Sequence, residues 1–442
     1  MYPNLYYVFK DWFGVEWQGL SFLNTFGLFV ALAFMVSAIV LSAELKRKEK
    51  LGLLLPREEL ITVGQPASLM DLFLNGVTGF IFGYKLFGLF LNKPAEVAAP
   101  DYIFSADGNF WGGILTAAAL AGLKWYEKNK QKLKTPERRT VRIWPHDRVG
   151  DIIILGLIFG ILGAKLFDNF ENWDEFVQDP IGRIFSQSGL TFYGGLILAA
   201  AAICWFAFKK GIKIRHLVDA AAPALMIAYA VGRIGCQVSG DGDWGVFNSA
   251  YTSDEYGHVT AAATPSAFNH QLQKNASYFI EGKTVDTSGR AVYVTDRYYG
   301  SLEAVPHKSF LGPAFLPTWL FAYTYPQNVN KDGVVIPGIT DEHNRVLPQP
   351  VFPTPLYEII ICTLLFAFLW SIRKKIKTPY VLFGIYLATN GTERFLLESI
   401  RVNKIYNVMG LHLSQAQIIA IGLIVTGLLI IMVARKNAHR LV

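Results

Sequence analysis

The chain has 442 residues, 52% of them hydrophobic and only 17% charged, with a mean hydropathy of +0.31. That balance excludes an ordinary soluble domain, where charge interrupts apolar runs sooner. A formal net charge of +7 would suit a nucleic-acid binder, but the placement of the basic residues argues against one.

In chain order, apolar stretches of roughly 17–24 residues recur, each long enough to cross a bilayer core as a helix. Nine spans are predicted: 20–43, 69–91, 110–126, 150–170, 189–208, 216–237, 355–372, 379–397 and 414–434. The aromatic-rich start lacks a basic region and a small-residue cleavage site, so no removable signal peptide is expected. Lys and Arg cluster after spans one ("ELKRKEK"), three ("KNKQKLKTPERR"), five ("KKGIKIR") and seven ("RKKIK"), and in the tail ("RKNAHR"). By the positive-inside rule the N-terminus is outside and the C-terminus cytoplasmic. The basic excess is then topological, with membrane lipid as its neighbour and no role for nucleic acid. The expectation is an all-α polytopic membrane protein of about nine helices with a small extracytoplasmic domain.

The expected organisation is an N-terminal segment with the first span and a cytoplasmic loop (1–68), a helical hairpin with a basic loop (69–149), and a second hairpin (150–215). A helix over 216–237, the extracytoplasmic domain over 238–354 and three C-terminal spans over 355–442 follow. The two hairpins read as a tandem duplication. At an offset of 80, Asp71, Gly76, Gly83, Lys85, Leu86, Phe87 and Asn92 fall on Asp151, Gly156, Gly163, Lys165, Leu166, Phe167 and Asn172. Downstream, "NFWGGILTAAA" matches "TFYGGLILAAA" at an offset of 82. The three cysteines and eight histidines show neither disulfide nor metal-ligand spacing, and no cofactor is implied.

Polar residues recur at one depth. Arg233 ends the sixth span, and Arg394, Glu398 and Arg401 lie on one face of the eighth, with Lys165, Tyr193, Tyr357 and Glu358 at a similar level. Each has an ordinary explanation. The arginines can snorkel or pair with Glu358 and Glu398, Lys165 can snorkel, and Tyr193 can be an interfacial belt residue. Two arginines together beside the Gly-rich "SGDGDWG" (239–245) favour an anion site, with a lipid phosphate as the anion.

At these residues the sequence resembles the prolipoprotein diacylglyceryl transferase family. Gly232, Arg233, Gly235, Gly240 and Gly245 keep the frame of the family's G-R-x-G-N-F-x-N-G-E-x-x-G signature with one extra residue. "FYGG" (192–195), "FPTPLYE" (352–358), "NGTERFLLE" (390–398) and "WQG" (17–19) stand where the family has F-H-G-G, H-P-x-Q-L-Y-E, Y-G-x-x-R-F-x-x-E and W-Y-G. Tyr193 replaces the family's proposed base His, Cys236 replaces Asn, and Asp241 replaces Glu.

The resemblance implies transfer of a diacylglyceryl group from phosphatidylglycerol to the lipobox cysteine of a preprolipoprotein signal peptide, in the bacterial cytoplasmic membrane. Arg233 and Arg394 would bind the leaving phosphate through their planar forks. Tyr193 would position lipid or thiol while Asp241 or Glu398 accepts the proton. Gly194 and Gly195 would admit the substrate closely, with Gly235, Gly240, Gly245, Tyr357, Glu358 and Lys165 completing the binding site. A transporter or flippase for an anionic lipid or metabolite, or an inactive lipid-binding homologue, are the rival readings.

Overall fold

The computed structural model describes residues 1–92, 102, 105–185, 191–286, 288–295, 297–403, 405–408 and 410–438. The described residues are mostly helical, and six helices among them are long and apolar enough to cross a membrane. These are Thr25–Lys50, Leu69–Leu91, Pro145–Glu171, Ile214–Ser239, Thr354–Ile372 and Gln415–Lys436, the pattern of a polytopic membrane protein. Among the described residues, helices Phe110–Lys130, Phe192–Lys209 and Val381–Glu398 cover the other three predicted spans. Residues 189 and 190, which open one of those spans, lie outside the described residues.

The first long helix starts later than expected. Gln18–Phe22 forms a 3-10 turn, and the Asn24 side chain accepts from the Phe26 amide at 2.8 Å, which opens the helix at Thr25. It runs on to Lys50 because "ELKRKEK" consists of good helix formers. Strand is a minor component beside the helices: among the described residues there are six two-stranded sheets, of which the longest pairs β1 (Arg57–Val63) with β2 (Glu137–Ile143).

The chain divides into two compact units. One comprises Val15–Phe22 and Leu41–Leu217. Its helices α3 (Leu69–Leu91) and α4 (Phe110–Lys130) form one hairpin, and α5 (Val149–Glu171) and α8 (Phe192–Lys209) another; α1 (Leu5–Phe13) and α2 (Thr25–Lys50) precede them, and the short α6 (Trp173–Gln178) and α7 (Pro180–Phe185) intervene. The two hairpins repeat each other contact by contact. A Cβ added at Gly83 would meet the Gly112 carbonyl and Thr116; one at Gly163 would meet the Gly194 carbonyl and Leu198. A Cβ at Gly112 would strike Phe87, and one at Gly194 would strike Phe167. Every pair matches at the offsets of 80 and 82 read from the sequence, so small residues bring backbones together at the same places in both copies. Glu59 on β1 pairs with Arg148 at 2.7 Å and Lys210 at 3.2 Å, tying the sheet to the start of α5 and the end of α8.

The other unit comprises Met1–Gly14, Leu23–Val40 and Val218–Val442. Its helical part holds α9 (Ile214–Ser239), α12 (Thr354–Ile372), α13 (Val381–Glu398) and α14 (Gln415–Lys436). Ala222, Met226 and Ala230 of α9 bury against Cys362 and Leu369 of α12 and Leu382 of α13. Asp219, also on α9, accepts from the amides of Tyr380 and Phe383, both at 2.9 Å, and so caps the start of α13. Between α9 and α12, residues 240–353 fold into short strand pairs and two short helices, α10 (Ala267–Lys274) and α11 (Ala276–Glu281). Their core gathers Trp244, Phe247, Phe268, Phe279, Tyr325 and Leu347. The Met1 amine donates to the Pro326 carbonyl at 2.9 Å and the Tyr2 amide to the Val238 carbonyl at 2.8 Å, so the first residues meet this insert at the end of α9.

Candidate active site

Three helix ends and one loop build the site. The last turns of α9 carry Tyr229 and Arg233, the first turn of α12 carries Glu358, and the end of α13 carries Arg394 and Glu398, with Arg401 just beyond. After Ser239 the chain reverses through Gly240 (φ +68°) and Gly242 (φ +63°), a left-handed backbone that other residues rarely adopt. The reversal returns Asp243 to Arg233. The loop is then stitched down: the Gly245 amide donates to the Phe352 carbonyl and the Val246 amide to the Ile400 carbonyl, both at 2.8 Å, and the Thr354 hydroxyl donates to the Asp243 carbonyl at 2.5 Å. A Cβ at Gly245 would lie 2.6 Å from the Ile400 carbonyl oxygen, so only glycine lets the loop cross the end of α13.

Glu358 is the hub. Its side chain is fully buried, and it accepts from the Tyr229 hydroxyl at 2.9 Å and Arg394 Nη1 at 3.1 Å, with Arg233 Nε at 2.7 Å and Arg401 Nη1 at 3.4 Å. Asp243 is the second anchor, held by Arg401 Nη2 at 2.5 Å and by Arg233 Nη1. Glu398 lies 3.6 Å from Arg394 Nη2, while its Oε1 accepts from the Ser414 hydroxyl at 2.7 Å and from Asn403. Three guanidinium groups thus face three carboxylates. One more carboxyl, that of Glu393, is 4% exposed, with no hydrogen-bond partner for either oxygen among the described residues.

The loop acids are tuned in opposite directions. Burial alone would raise Asp243, but Arg233 and Arg401 outweigh it and hold the carboxyl down at about 2. Asp241 goes the other way: burial, reinforced by the negative charge of Asp243, pushes it up to about 6 against the weaker pull of Arg233.

Of the residues singled out in the sequence, Arg233, Arg394, Glu358 and Glu398 converge in this cluster, with Asp241 and Gly245 in its loop. Gly240 opens the loop, and Gly235 packs against Phe26 and Phe29. Tyr357 turns away: its hydroxyl donates to the Leu320 carbonyl at 2.7 Å, which makes it a brace for the insert. Lys165, Tyr193, Gly194 and Gly195 belong to the other unit. There Lys165 donates to the Arg183 carbonyl at 3.2 Å, and the two glycines pack against α5. Sequence reasoning missed Tyr229, Asp243 and Glu393 as members of the cluster and left Arg401 outside the site. The i, i+4, i+7 spacing of Arg394, Glu398 and Arg401 was the available signal for the last.

A model of the prolipoprotein diacylglyceryl transferase family matches residues 111–433. The chain is similar to the phosphatidylglycerol–prolipoprotein diacylglyceryl transferases of Enterococcus faecalis and Chlorobaculum tepidum. It is 24% identical to the first over 335 residues, which cover 75% of this chain and 88% of the relative. It is 26% identical to the second over 352 residues, covering 76% and 90%. The transferase of Leptospira interrogans is 37% identical over 117 residues, 21% of this chain, and the match spans only 37% of that relative's length. Because the family match takes in more than half of the chain and every member of the arginine cluster, the chain belongs to the prolipoprotein diacylglyceryl transferase family.

Proposed function

We propose that the protein transfers a diacylglyceryl group from phosphatidylglycerol to the lipobox cysteine of preprolipoproteins, and that the arginine cluster is where it does so. The observation that carries the reading is the convergence of Arg233, Arg394 and Arg401 from separate elements onto buried Glu358. In the reaction the cysteine sulfur forms a bond to the terminal glycerol carbon. The carbon–oxygen bond to phosphate breaks, and glycerol phosphate leaves with the electron pair. Its phosphate then carries additional negative charge, and preorganised guanidinium donors in a water-poor site stabilise that charge most. With three carboxylates already opposite the arginines, an entering phosphate takes over donors now held by Glu358 and Asp243.

The thiol proton needs an acceptor where the family has His and this chain has Tyr193. Asp241 suits this role better than Glu398. Its elevated value of about 6 gives a stronger base than an ordinary carboxylate, still ionised at neutral pH. Glu398 is occupied by Ser414, Asn403 and Arg394. Tyr193 then positions lipid or thiol, while Gly194 and Gly195, whose open side is filled by α5, serve helix packing.

The proposed topology is nine spans in the bacterial cytoplasmic membrane, with the N-terminus and residues 238–354 outside and the tail in the cytoplasm. Alternation of the basic loops supports it, as does the shared end of Met1 and the insert. The decisive experiment incubates purified protein with phosphatidylglycerol and a lipobox peptide and seeks the diacylglyceryl thioether by mass spectrometry. Lipid binding without thioether would mark an inactive homologue and end the proposal. Single cysteines in 238–354 should react with an impermeant reagent in intact spheroplasts; labelling only after lysis would reverse the orientation.

A further inference from the structure

Within the insert, no charged residue occurs between Lys308 and Lys331. The first part of this stretch, "SFLGPAFLPTW" (309–319), projects its large apolar side chains into the open. Phe315 is 84% exposed, Leu311 62% and Trp319 51%. This is an ordered loop. The Asn248 side chain clamps both of its ends, donating to the carbonyls of Phe310 at 2.9 Å and Phe321 at 3.1 Å and accepting from the Phe310 amide at 3.1 Å. The Tyr251 hydroxyl accepts from the Gly312 amide at 2.9 Å, and a turn closes from the Pro313 carbonyl to the Leu316 amide at 3.0 Å. A loop held this firmly with its apolar residues outward has them outward for a reason.

Its location supplies the reason. The loop is fastened to two helix ends at the level of the arginine cluster: the Tyr357 hydroxyl, in the first turn of α12, donates to the Leu320 carbonyl at 2.7 Å, and Lys308 Nζ donates to the Ser399 carbonyl at 2.9 Å, just after α13. Those helices continue the apolar surface, with Ile360 and Leu364 on α12 and Leu396 on α13 exposed. We propose that residues 309–319 insert into the bilayer beside α12 and α13, and that their partner is the lipid of the leaflet bordering the cluster. An irregular backbone is costly to carry into the acyl-chain region, which limits the depth to the boundary between headgroups and acyl chains. Trp319 suits that boundary, and Lys308 at the base sits at headgroup level. A lipid headgroup arriving at the arginines would then pass a wall that is itself seated in the leaflet.

The test reads lipid contact and does not depend on transfer. Full-length protein with Cys204, Cys236 and Cys362 replaced by alanine receives Leu311→Cys, Phe315→Cys or, as control, Glu303→Cys. Each variant is spin-labelled and reconstituted in nanodiscs containing phosphatidylglycerol. Relaxation by oxygen should exceed that by a water-soluble nickel chelate at 311 and 315, with the reverse at 303. Greater nickel access at 315 overturns the proposal, and so does dipolar broadening between labels, which would assign the loop to a second copy. In the chain with its native cysteines, Trp319→Phe should remove part of the emission quenched by brominated lipid; unchanged quenching also overturns it.

Discussion

Replacing Glu358 by glutamine tests the charge arrangement most directly. The substitution keeps shape and one acceptor oxygen, but it removes a fully buried negative charge and turns an amide donor toward guanidinium groups. Losing one partner of a buried ion pair costs ~3–5 kcal/mol. The lower end applies here, about 3 kcal/mol, because Arg233 and Arg401 keep Asp243 and Arg394 keeps Glu398. The variant should therefore unfold at a distinctly lower temperature in detergent. An anionic ligand can supply the missing charge, and at a hundredfold excess over its Kd it returns about 2.7 kcal/mol. Phosphatidylglycerol should thus recover much of the loss, and should raise the midpoint more in Glu358→Gln than in the unmodified protein. Phosphatidylcholine should not. An unchanged midpoint, or equal recovery with either lipid, would refute the account of Glu358 as counter-charge to an anion site.

Arg233→Lys and Arg394→Lys should each impair transfer severely in the peptide assay, because a point charge cannot reproduce a two-bond fork; near-normal turnover in both would reduce these residues to helix pairing. The Asp241 carboxyl, at about 6 in the fold against ~3.9 when unfolded, binds its proton more tightly folded. Its contribution to stability is full below ~3.9 and is lost as pH rises through about 6. The unfolding midpoint should accordingly fall across that window in the unmodified protein and less in Asp241→Asn, while transfer should rise through it only when Asp241 is present. Tyr193→Phe should lower transfer by about tenfold or more, whereas Trp111→Phe, at the matching position of the first hairpin, should leave most of it; the reverse pattern would assign the site to the first copy.

Much of the architecture was legible because membrane helices announce themselves by length and lack of charge. The close contacts within the two hairpins were legible too, since Gly83, Gly163, Gly112 and Gly194 are needed wherever two backbones touch. Strand β1 was not, because "REELITV" pairing with "ERRTVRI" lacks the apolar alternation that marks a half-buried strand. In the site, arginines in apolar runs stood out as costly. Asp243 did not, since a loop aspartate is ordinary until the glycine turns fold it back onto Arg233. The engagement of the Tyr357 hydroxyl was not legible for a related reason: sequence gives its helix face, while the carbonyl it reaches, that of Leu320, belongs to the insert.

The hub at Glu358 also has a consequence for biosynthesis. When Arg233 is synthesised, all of residues 240–353 have still to be made before its main counter-charge exists, a delay on the order of ten seconds at typical elongation rates. Asp243 follows Arg233 by only ten residues. The glycine turns that return it to Arg233 therefore give the nascent helix an interim partner while α12 is still inside the ribosome. Loss of that carboxylate should therefore act twice, on insertion of α9 during synthesis and on the finished cluster. Nascent chains stalled before α12 isolate the first effect: if they insert α9 equally well with Asp243 or asparagine, the aspartate serves the completed protein alone.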